Sequence, residues 1–111
     1  MTVKPTDEQR AAFARAAALV EHQAEGLRLT GSQTTQAALK DYAATLRRLA
    51  EGAPVEITET ERLHLENASF VLEGIRDGLL TTEFRERAAA IDKDVKTLND
   101  VVGAYNAAPD A

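Results

Sequence analysis

A chain of 111 residues with 44% hydrophobic content, no cysteine, no tryptophan and a formal charge of −5 has room for one domain. Disulfides, thiolate metal sites and thiol nucleophiles are excluded, and five aromatic residues make a poor base-stacking surface. The negative balance disfavours nucleic acid and anionic lipid. Apolar runs no longer than Ala16–Val20 do not span a membrane, and Met1–Pro5 lacks the apolar core of a signal peptide, so a cytoplasmic protein is expected.

Start and stop signals divide the chain into four helical segments. Thr6 with Gln9 forms a capping box, with Asp7 and Glu8 in the first turn, and predicts a helix over about 7–28. Thr30-Gly31-Ser32 breaks the chain, and Ser32 or Thr34 caps a second helix over 33–51 that Gly52 and Pro54 stop. Val55–Ile57 is a short extended approach. Thr58 with Glu61 is a second capping box for a helix over 59–80, with Gly78 a candidate C-terminal cap. Thr81-Thr82 starts the fourth helix, over 83–107, which ends before Pro109. No strand of useful length is expected. Short links make sequence neighbours antiparallel, so the expected fold is all-α, an antiparallel up-down four-helix bundle, closed by one chain or completed by a second.

The helix faces differ in kind. The first helix has a narrow, alanine-rich stripe of Phe13, Ala17, Val20, Ala24 and Leu27. The second lines up Leu39, Tyr42, Ala43, Leu46 and Leu49. In the third, Leu63, Leu65, Ala68, Phe70, Val71, Leu72, Ile75 and Leu79 cover more than half the circumference, which predicts the most buried element. In the fourth, Phe84, Ala88, Ile91, Val95, Leu98, Val102 and Tyr105 recur at alternating spacings of four and three, a heptad seam. That seam is either the fourth wall of the bundle or a self-association surface. Arg87 and Asp92 flank it and are candidates to pair across a dimer.

Chemistry is sparse. Glu61 and His64 form a Glu-x-x-His pair on one helix face, as in di-iron carboxylate bundles, but the second motif and the further glutamates of such a site are missing. The plainer reading is a wet bundle end, with His64 bonded to Tyr105 or Asn106 and Glu61 paired with Arg47 or Arg48. Arg15 and His22 lie on the outer face of the first helix without a supporting polar cluster. Ser32 and Ser69 sit in no nucleophile turn, and no glycine-rich phosphate loop is present.

Residues 53–80 sum to −4, through Glu56, Glu59, Glu61, Glu66, Glu73 and Asp77 against two arginines. Glu56, Glu59, Glu66 and Glu73 are therefore candidates for an acidic docking patch. The expected function is a non-catalytic interaction or assembly module without a cofactor. Its partner is a protein or a second copy, joined through Phe84, Ile91, Val95, Leu98, Val102 and Tyr105. The alternatives are an acidic inhibitor of a basic protein, of immunity, antitoxin or phage-inhibitor type, and a metal- or small-ligand bundle around Glu61 and His64. The arginine and alanine bias points to a GC-rich bacterial or phage genome.

Overall fold

The computed structural model describes residues 1–80 and 84–108, apart from the side chains of Leu29 and Thr30. In chain order the elements are β1 (Thr2–Val3), α1 (Asp7–Thr30), α2 (Gln33–Ala50), β2 (Val55–Glu56), α3 (Glu59–Leu80) and α4 (Arg85–Ala107).

Local chemistry sets the helix ends. The Thr6 hydroxyl accepts from the Gln9 amide while the Gln9 side chain accepts from the Thr6 amide. Two donors that a helix start leaves orphaned are thereby satisfied. Thr58 and Glu61 repeat the arrangement at the start of α3, and the Ser32 hydroxyl accepts from the Thr35 amide at the start of α2. α2 stops where Gly52 takes φ +88°, a conformation other residues adopt only with strain. Gly78 is not a cap; it stays inside α3. The fourth helix ends at Ala107, as expected, with the Ala108 amide donating to the Tyr105 carbonyl; its expected start at Thr81-Thr82 lies outside the described residues.

Ion pairs and hydrogen bonds reveal the chain directions. Between α2 and α3 they join Arg48 to Glu61, Thr45 to His64 and Tyr42 to Asn67. Between α3 and α4 they join Ser69 to Asn99 and Arg76 to Asp92. In both cases one number rises as the other falls, so neighbouring helices run antiparallel. The molecule is an all-α four-helix bundle, and its shortest dimension of 22 Å is about two helix diameters.

All four helices feed one core within a single chain. Phe13 and Val20 of α1, Leu46 and Leu49 of α2, Leu65 and Leu72 of α3 and Leu98 of α4 are all fully buried. Ala12, Ala16, Ala17 and Ala24 are buried, and their small side chains let α1 sit close to its neighbours, α2 above all. The bundle is therefore two tight hairpins, α1–α2 and α3–α4, with α1 and α4 meeting less closely.

The N-terminal segment adds a feature that the sequence reading missed. Thr2 and Val3 pair antiparallel with Glu56 and Val55, and the Ile57 amide donates to the Met1 carbonyl at 2.9 Å. Val3 and Val55 of this ribbon, with Ile57 beside them, are buried and join the core. Arg48 donates to the Glu56 carbonyl, tying the ribbon to α2, and Arg10 donates to the Ala50 carbonyl, tying α1 to the end of α2.

Candidate interaction surface

The α4 seam lies inside the molecule. Ala88, Ile91, Val95, Leu98 and Val102 are buried among side chains of the same chain, and only its ends reach the surface, at Phe84 (51% exposed) and half-buried Tyr105. As a contact surface Val95, Leu98 and Val102 are unavailable unless the bundle opens, because their apolar area is already removed from water, and Ile91, 6% exposed, offers only an edge. Asp92 pairs not across a dimer but with Arg76 at 2.7 Å and Lys96 at 3.3 Å, which hold its carboxyl below the usual range. Arg87 lies 6.0 Å from the centre of the Phe84 ring and makes no ion pair among the described residues.

α3 differs from the expectation in the opposite sense. It is not the most buried element: Leu65, Ala68, Ser69 and Leu72 face the core, while Leu63 is 43% and Phe70 60% exposed. The apolar arc is wider than the core beneath it. Leu63, Asn67, Phe70 and Gly74 succeed one another at helical spacing along the outward face. At Gly74 a side chain would meet nothing within 4 Å, so the backbone there is open to close approach.

Carboxylates border this stripe, though unequally. Glu59 and Glu66 both bind Arg62, Glu66 at 2.7 Å. The hydrogen bond from Arg62, with a weaker one from Tyr105, keeps the Glu59 carboxyl below its ordinary range. Asp77 pairs with its neighbour Arg76. Glu73, half-buried, has no ion pair among the described residues. Glu56 stands apart from the patch. The Met1 ammonium at 2.8 Å and the Thr2 hydroxyl at 2.5 Å hold it at the ribbon and lower its pKa.

Glu61 and His64 are both committed to protein partners. One Glu61 oxygen caps the start of α3 and the other binds Arg48. His64 Nδ1 bonds not Tyr105 or Asn106 but the Thr45 hydroxyl at 2.8 Å, and its ring lies 5.6 Å from that of Tyr42, which accepts from Asn67. The pair is a tie between α2 and α3. No group of three or more metal-ligating side chains occurs among the described residues.

Sequence reasoning also missed Asp94. It is 3% exposed, and Arg15 of α1 reaches it with two hydrogen bonds, of 2.8 and 3.1 Å. Those bonds raise the pKa of the Arg15 guanidinium. The signal was present, since Asp94 falls on the helix between Ile91, Leu98 and Val101, inside the apolar arc. Beside this pair Ala18 and Leu19 of α1 and Arg87, Ala90 and Ile91 of α4 line an open groove of about 280 Å³.

Family models, curated proteins and solved structures were compared with the chain and none matches it. No described helix is long and apolar enough to cross a membrane. The function has to be read from the chain's own surface.

Proposed function

We propose that this protein is a small, non-catalytic docking module that takes a basic amphipathic helix of a protein partner along the outer face of α3. The observation that carries this reading is the placement of Leu63 and Phe70 on one exposed line, with Glu59, Glu66, Glu73 and Asp77 beside it. Exposed large apolar side chains in a row are the usual anchors of helix-on-helix recognition. A carboxylate border selects a partner bearing lysine or arginine and speeds its approach. The bundle supplies a rigid base, so little ordering accompanies binding. An acidic inhibitor that covers a basic protein surface works through the same contacts.

A displayed library of random helices, sorted against the labelled protein, tests the reading. Enriched helices should combine lysine or arginine with apolar anchors at helical spacing. Their binding should vanish with Phe70→Ser, persist with Lys93→Ala, and weaken as salt rises. Enrichment of acidic helices, or binding indifferent to Phe70→Ser, would overturn it.

A further inference from the structure

The molecule carries a second surface whose chemistry is the counterpart of the α3 face. The groove between α1 and α4 has an apolar floor of Ala18, Leu19, Ala90 and Ile91 and two arginines, Arg15 and Arg87. Asp94 neutralises Arg15, so the lining keeps one uncompensated positive charge, on Arg87. The bidentate contact uses Nε and Nη2 of Arg15. Its Nη1 is left to donate elsewhere, and the side chain is 57% exposed.

The spacings of the two surfaces agree. Arg87 and Asp94, which holds Arg15, are seven residues apart on α4, and Glu66 and Glu73 are seven apart on α3. Seven residues is two helical turns, about 10.5 Å. Leu63 and Phe70 repeat that step along the apolar line. A copy of α3 laid over the groove therefore brings Glu73 to Arg87, two charges that lack a partner in the single chain among the described residues. It also brings the Glu66–Arg62 pair to the Arg15–Asp94 pair. Leu63 and Phe70 then cover the alanine and leucine floor, and Gly74 allows the backbones to come close.

We infer that the α1–α4 groove of one copy receives the α3 face of a second copy. The inference rests on the reading of α3 as a docking face and gives that face a second occupant, which competes with the basic helix. Such a contact is head-to-tail: the two surfaces differ, and the joined pair still has one of each to offer. Both sit on the same rigid bundle, so association continues beyond two copies unless the geometry closes a ring. The overall charge of −5 opposes approach at long range, which keeps the contact weak and concentration-dependent.

Complementation of two defective variants provides the test. Phe70→Ser disables the face and leaves the groove; Ala90→Glu disables the groove and leaves the face. Both positions are exposed, so far-ultraviolet circular dichroism should match the parent. By sedimentation equilibrium from micromolar to millimolar concentration, the parent should associate beyond a monomer. Each variant alone should be weakened by about tenfold or more. An equimolar mixture should form a dimer with one of each, and no larger species, because the mixed pair has no usable face or groove remaining.

A monomeric parent, variants that still self-associate, or a mixture that does not recover would overturn the inference. If the parent is monomeric while Phe70→Ser still abolishes binding of the selected basic helices, the docking face stands and only its second occupant is wrong. If Phe70→Ser leaves those helices bound as well, the reading of α3 fails with it.

Discussion

α3 and α4 are helices of 22 and 23 residues that use their apolar side chains differently. On α4 they keep to one stripe, and the stripe is buried from Ala88 to Val102. On α3 they spread around the helix, the core covers only one side, and Leu63 and Phe70 are left in water. A regular seam is the mark of structure, because packing one helix against its neighbours removes one face from solvent. Apolar residues beyond that face add nothing to the core of the single chain. They raise the free energy of the exposed surface until something covers it.

The largest expected effect comes from the α4 side of the comparison. Leu98 is fully buried, so Leu98→Ala should cost about 2–5 kcal/mol in urea unfolding. A loss below about 1 kcal/mol would place the seam outside the core. Phe70→Ser, on the α3 side, should change stability by no more than about 0.5 kcal/mol in the same assay.

Next is the tie between α1 and α4, which should respond asymmetrically. Arg15→Ala strands the buried Asp94 carboxylate and should cost about 3 kcal/mol. Asp94→Ala leaves an arginine that is more than half exposed and can hydrate, so it should cost less. Equal losses by thermal melting would show that both members depend on the pair to the same degree.

A smaller effect is expected at the α2–α3 junction. His64→Leu removes the partner of the buried Thr45 hydroxyl and should cost about 1–3 kcal/mol. An unchanged or raised melting temperature would mean that the hydrogen bond contributes nothing net.

The smallest effect concerns pH. Glu56, Glu59 and Asp92 titrate below their ordinary values of 4.5, 4.5 and 3.8 in the folded chain. A carboxylate with a depressed folded pKa contributes stability that is present above its unfolded pKa and lost as pH falls through the folded one. Stability should be flat from pH 7 to about 5 and decline below about 4.5. These groups lie at the surface, so salt should blunt the decline. A rise in stability on acidification through that window would contradict the assignment of these pairs.

Much of the fold was legible in the sequence because it depends on local signals. Thr6 with Gln9, Ser32 and Thr58 with Glu61 announce helix starts that need no distant partner. The Arg48–Glu61 pair followed from an up-down chain path, which sets the start of α3 beside the end of α2. Long-range features were less visible. The Met1–Val3 ribbon pairs with residues more than fifty positions away and has too few residues to show a strand period. The place of Asp94 inside the apolar arc of α4 marked it for burial, but its partner, Arg15 reaching across from α1, is encoded by no pattern within α4. The width of α3's apolar arc was plain, but a helical wheel does not say how much of it three neighbours cover. Leu63 and Phe70 consequently read as core when they are surface.

Chemical-shift mapping of the isotopically labelled protein, as a basic amphipathic helix from the library is titrated in, tests the central claim most directly. The account predicts that amide shifts concentrate on Leu63, Asn67, Phe70 and Gly74, while Val95, Leu98 and Val102 stay unmoved. Shifts centred on those three α4 residues would contradict it, because they would mean that the partner opens the bundle and binds the seam.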